Sequence, residues 1–132
     1  MRLLFVHERF GAMAGAEVNA WSTAAELKQR GHSIGILHGP STGKGETAWQ
    51  EVFSERYPIG DNGTFKTTMV ALQHFFPDAV YVHKMSDLEV IRALVDSSRP
   101  LVRMVHDHEM YCMRGYKYHP LTRQICLRAA SA

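Results

Sequence analysis

The sequence predicts an α/β fold, a three-layer Rossmann-like parallel sheet with helices on both faces. Three observations lead there. Short apolar runs such as Leu3, Leu4, Phe5 and Val6 are too brief for helices and read as strands covered on both faces. Stretches with helical spacing of about ten to fifteen residues alternate with them. Gly31, Pro77 and the Arg99-Pro100 pair punctuate the alternation.

The first strand leads through a loose segment, Gly11 to Gly15, into a helix with Ala20, Trp21, Ala24, Ala25 and Leu27 inward. Glu26 is spaced to pair with Arg30, and Gly31 stops the helix before a strand over residues 33–37. Residues 38–46 read as a flexible loop. Residues 46–54 form a short helix, with Ala48, Trp49, Val52 and Phe53 recurring at its period. Residues 56–60 follow as a brief edge strand, because Pro58 excludes a central one. Asp61-Asn62-Gly63 is a turn, and Phe65, Met69, Leu72 and Phe76 mark the inward face of a helix ending before Pro77. Residues 79–83 are the next buried strand. A capping box from Ser86 to Glu89 opens a helix with Leu88, Ile91, Leu94 and Val95 inward, and residues 101–105 are the following strand. The 132 residues are expected to be one domain.

Composition narrows the function. A net charge of +2 is too mild to argue for nucleic acid. Residues 103–128 nonetheless gather Arg103, Arg114, Lys117, Arg123 and Arg128 among Met110, Tyr111, Met113, Tyr116 and Tyr118, a pattern suited to an anionic small molecule or to peripheral contact with a lipid surface. No apolar run reaches transmembrane length, and the first one is too short for a signal peptide; the chain is expected to be cytoplasmic. Its two cysteines, Cys112 and Cys126, are too few for a secreted disulfide scaffold.

Ligands of parallel sheets sit outside the carboxyl ends of the strands. His7, His38, His83 and His106 all fall there, so imidazoles are expected to line that rim. Gly15, at the start of the first helix, would let backbone amides approach a phosphate. The dinucleotide glycine fingerprint is absent, as is a P-loop: Gly39 and Gly43 are too close, and Gly45 follows Lys44 where a hydroxyl is needed. His106, His108, Cys112 and Cys126, with His119, form a candidate metal set, but no close Cys-x-x-Cys accompanies them. The simpler role for His106 is to donate a hydrogen bond to a substrate hydroxyl or phosphate, with Asp107 orienting it.

The opening Arg2-Leu-Leu-Phe-Val-His, the Ala14-Gly15-Ala16-Glu17 helix start, Leu27-Lys-Gln-Arg-Gly-His-Ser-Ile, Pro77-Asp-Ala-Val-Tyr-Val-His and Val105-His-Asp occur in order along the chain. Together they resemble the N-terminal domain of a retaining GT-B glycosyltransferase of the large family-four (group 1) type. Tyr111-Cys112 and Cys126 resemble the cysteine-bearing segment of many such enzymes. The chain departs from the family's Gly-Gly by having Ala14-Gly15.

The resemblance implies an acceptor-binding half of a two-domain enzyme, inactive alone, with the C-terminal nucleotide-sugar domain lying outside this chain. It places Gly15, with Ala14 and Ala16 beside it, near the donor diphosphate and His106 near the donor sugar at the reaction centre; His7, His83, Asp107, Arg114 and Lys117, by their positions in the chain, are expected on the acceptor-side rim of the cleft. It implies a nucleotide-sugar co-substrate and no other cofactor, with a lipid, saccharide or other acceptor, as in polysaccharide or glycolipid biosynthesis. Two alternatives remain from the residues themselves, a metal-binding module and a stand-alone nucleotide- or phosphate-binding domain.

Overall fold

The computed structural model describes residues 1–12, 14–60, 63–106, 118–119 and 121–125. Strands β1 (Arg2–His7), β2 (Ser33–His38), β3 (Glu55–Pro58), β4 (Ala79–Lys84) and β5 (Leu101–Arg103) alternate with helices α1 (Gly15–Gln29), α2 (Glu46–Val52), α3 (Thr64–Phe75) and α4 (Leu88–Asp96). The five strands pair in parallel in the order β3-β2-β1-β4-β5. The chain therefore builds outward from β1 in one direction, then crosses back and builds in the other. That reversal makes a switch point between β1 and β4. A small antiparallel ribbon of β6 (Tyr118–His119) and β7 (Gln124–Ile125) was not evident from sequence.

Side chains alternate along each strand, so each face of the sheet has its own core. Leu4, Val6, Val80 and Val82 meet Ala71, Leu72 and Phe75 of α3 and Val90 and Leu94 of α4 on one side. Phe5, Ile34 and Ile36 meet Ala20 and Ala24 of α1, with Trp49, Val52 and Phe53, on the other. Burying rings such as Phe5, Phe53 and Phe75 contributes about 2–3 kcal/mol each. No helix among the described residues is long and apolar enough to cross a membrane.

Two helices are rotated from their expected phase. In α3 the buried residues are Thr68, Ala71, Leu72 and Phe75, while Phe65 and Phe76 are exposed and Met69 is half-buried. The small Thr68 and Ala71 let α3 lie close to the sheet, and Thr68 Oγ1 satisfies itself on the Thr64 carbonyl at 2.8 Å. In α4, Val90, Ala93 and Leu94 are buried, Ile91 is half-buried, and Leu88 and Val95 are exposed. Its N-cap is Asp87 rather than Ser86: Asp87 Oδ1 accepts from the amides of Glu89 at 2.8 Å and Val90 at 3.3 Å. The start thus moves one residue on, turning Leu88 outward. Strand β5 ends at Arg103 and α2 at Val52, both earlier than expected.

The segment after β2, expected to be flexible, is zipped to the one after β1. Phe10 N–H donates to Pro40 O at 3.0 Å, Thr42 N–H to Phe10 O at 2.8 Å, and Ala12 N–H to Lys44 O at 2.7 Å. Two glycines permit this closeness. A methyl group at Gly39 would run into the carbonyl of Glu8, and at Gly11, whose φ is 111°, one would strike Thr42 Oγ1.

Candidate functional site

The site grows from the carboxyl ends of β1 and β4, the two strands flanking the switch point. His7 and His83 follow the odd-residue face of their strands, on the side of α1 and α2. A register irregularity sits between Val6 and His7, where His7 pairs with Lys84. Such bulges re-aim side chains at functional rims. The His7 and His83 rings are 5.7 Å apart, and the His83 and His106 rings 4.2 Å apart. The expectation of a histidine rim therefore holds in placement but not in exposure. His7 and His83 are fully buried, and only His106, just past β5, is exposed. His38 does not join them: it is buried against Phe10 at 4.5 Å, with Nδ1 on the Gly39 carbonyl at 2.7 Å.

Helix α1 supplies the polar groups over this cluster. Asn19 Oδ1 lies 3.1 Å from His83 Nε2, and His106 Nε2 lies 2.8 Å from His83 Nδ1 and 3.2 Å from its Nε2. Arg9 N–H reaches His7 Nδ1 at 3.2 Å. His7 Nε2 faces Glu17 Oε1 at 4.0 Å and is the one buried side-chain polar atom without a hydrogen bond among the described residues. Burial holds His7 below the usual histidine range despite the nearby carboxylates of Glu17 and Glu8. Burial, then the neighbouring His106 and His7, push His83 down to about 4. Burial works against ionisation of Glu17, but the amides of Glu17 and Ala14, with His7 and Lys84, outweigh it and hold the carboxyl below its usual range. At neutral pH His7 and His83 are neutral imidazoles beside the Glu17 carboxylate.

Ala14 is the N-cap of α1, Gly15 its first residue and Ala16 half-buried behind it. The first helical bond runs from Val18 N–H to Ala14 O at 3.2 Å, and Glu17 Oε2 takes the Ala14 amide at 3.0 Å. The amides of Gly15 and Ala16 therefore have no acceptor within the helix. A methyl group at Gly15 would meet nothing within 4 Å, whereas one at Gly11, Gly35 or Gly39 would clash. Gly15 faces open space. It lies at the same end of the sheet as His106, since both follow carboxyl ends of parallel strands.

Asp107, His108, Cys112, Arg114, Lys117 and Cys126 lie outside the described residues. Among the described residues no group of three or more His, Cys, Asp or Glu converges to hold a metal ion. Asn19 and Glu17 were missed from sequence as site residues. The available signal was modest: Glu17 is three residues beyond Ala14, the capping-box spacing without the hydroxyl, and Asn19 is one helical turn beyond Gly15.

Sheet order and site position together define a Rossmann-like α/β protein whose polar cluster lies at the switch point. No family model, curated protein or solved structure matches the chain.

Proposed function

We propose that the chain is the N-terminal, acceptor-side domain of a retaining nucleotide-sugar glycosyltransferase, inactive on its own. The observation that carries this reading is that three groups lie at the same end of the sheet. They are the free amides of Gly15 and Ala16, the exposed imidazole of His106, and its buried support from His83. In glycosyl transfer the bond between the sugar C1 and the phosphate oxygen breaks, the acceptor oxygen bonds to C1, and negative charge builds on the departing diphosphate. Helix-start amides stabilise that charge without a proton transfer. Glu17 occupies the inner side of the same helix start and takes the Ala14 amide, which restricts an anion to the outer amides.

The donor half of the cleft would come from a second domain, and the acceptor from a lipid or saccharide. The test is release of nucleoside diphosphate from a panel of nucleotide sugars by the full-length protein. His106→Ala should reduce turnover strongly with little change in melting temperature. Gly15→Val, for which the fold has room, should weaken donor binding. Absence of turnover with every donor, or unaltered kinetics in both variants, removes the proposal. Tight nucleoside diphosphate binding by the 132 residues alone would instead favour a stand-alone binding module.

A further inference from the structure

The segments after β1 and β2 enclose a groove of about 520 Å3, lined by Glu8, Arg9, Pro40, Ser41 and Thr42. That size falls within the range of small-ligand sites, roughly 300–1,000 Å3. The groove lies at the carboxyl ends of β1 and β2, beside the switch point between β1 and β4.

Backbone hydrogen bonds fix its walls. Glu8 N–H donates to Lys84 O at 2.8 Å and Arg9 N–H to His7 Nδ1 at 3.2 Å, while the bonds from Phe10 to Pro40 and Thr42 hold the other side. Thr42 Oγ1 accepts the Lys44 amide at 3.2 Å and lies 3.3 Å from the carbonyls of Ala12 and Lys44, so it braces its own loop. What remains to meet a ligand is a carboxylate, a guanidinium, the exposed hydroxyl of Ser41 and the exposed ring of Pro40. Glu8 Oε1 lies 3.7 Å from Lys84 Nζ and Oε2 lies 3.4 Å from Ser86 Oγ. Both contacts are long for hydrogen bonds, and a carboxylate offers about four lone-pair sites, so Glu8 keeps capacity to accept. Arg9 is exposed and brings only donors.

We propose that this groove binds a neutral saccharide, with Glu8 accepting from its hydroxyls and Arg9 and Ser41 donating to them. A sugar hydroxyl both donates and accepts, so one ligand satisfies both charged walls. An anion drawn to Arg9 would face the Glu8 carboxylate, and a cation drawn to Glu8 would face the guanidinium. A purely apolar group would strip water from both charges and return no hydrogen bond. Pro40 offers the C–H face of a sugar ring an apolar surface. The groove rests on its own geometry and charge. That its sugar is the acceptor rests on the glycosyltransferase reading, in which it narrows the acceptor to a neutral saccharide and leaves the diphosphate to the Gly15 and Ala16 amides.

The experiment is amide NMR titration of the full-length protein with methyl β-glucoside, methyl β-galactoside, maltose and lactose, against glucuronate and inorganic phosphate. At least one neutral sugar should shift the amides of Arg9, Ser41 and Thr42 at millimolar concentration, and the two anions should shift them less. Arg9→Ala, at an exposed position, should weaken that sugar by roughly 10-fold or more, the size of a hydrogen bond to a charged group, with little change in melting temperature. Glu8→Gln keeps an acceptor but removes the charge, so it should narrow the preference for neutral sugar over glucuronate, which loss of packing alone would not do.

No shift with any neutral sugar, equal or tighter binding of phosphate or glucuronate, or an affinity unmoved by Arg9→Ala overturns the groove assignment. Sugar binding as expected, with no nucleoside diphosphate released from any nucleotide sugar, leaves the groove standing and removes the enzyme assignment. Turnover with an acceptor KM unmoved by Arg9→Ala does the reverse.

Discussion

Acidifying the chain should unfold it through its buried histidines. An unfolded histidine titrates near 6.5, and His83 in the folded chain titrates at about 4. Between those values the unfolded chain binds a proton that the folded chain refuses, so stability falls as pH falls. At about 1.4 kcal/mol per pH unit for one proton, the interval corresponds to a loss of about 3 kcal/mol from His83. That is a sizeable part of the roughly 5–15 kcal/mol by which domains are stable. His7 and His38, both lowered by burial, add loss of the same sign as pH falls below about 6.5. Glu17, held below 4.5, adds its own loss only at lower pH, as its folded carboxylate becomes protonated. Urea denaturation of the wild-type chain from about pH 7 to about pH 4.5 should therefore show a falling midpoint. In His83→Phe the slope should shrink by up to one proton, about 1.4 kcal/mol per pH unit. A midpoint constant across that range, or equal slopes in wild type and variant, would refute the neutral burial of His83.

Three other outcomes test the packing. Gly39→Ala should destabilise by about 2–3 kcal/mol, read as a lower denaturation midpoint, because its methyl group would run into the Glu8 carbonyl. Asp87→Ala should cost about 1 kcal/mol through loss of the α4 cap, whereas Ser86→Ala should change stability far less. Leu88→Gln should leave stability within about 0.5 kcal/mol, since Leu88 is 80% exposed despite its place in an apolar pattern.

Strand order apart, the architecture could be read because each signal is local. Apolar runs marked β1, β2 and β4, Gly31 ended α1, and Pro77 ended α3. What failed was the phase of α3 and α4. Phe65, Phe76, Leu88 and Val95 are apolar letters near helix ends, where the sheet no longer covers them, while Thr68 and Ala71 face inward because close approach favours small side chains. The loop after β2 looked mobile by composition because its hydrogen bonds go to another loop, which no local pattern reveals. The site shows the same divide. The position of His7, His83 and His106 at the carboxyl edge of the sheet could be read from their place after strands, but Asn19 reaches His83 across 64 residues, and helical periodicity carries no trace of that pairing.

The zipped loops after β1 and β2 bear on how a ligand is received. Because Phe10, Ala12, Thr42 and Lys44 already hold each other's backbone groups, this part of the sheet's carboxyl edge is assembled before any ligand arrives. An incoming molecule meets a finished surface there and forfeits no affinity to organising it. Under the glycosyltransferase proposal, conformational adjustment during turnover would then fall to the second domain.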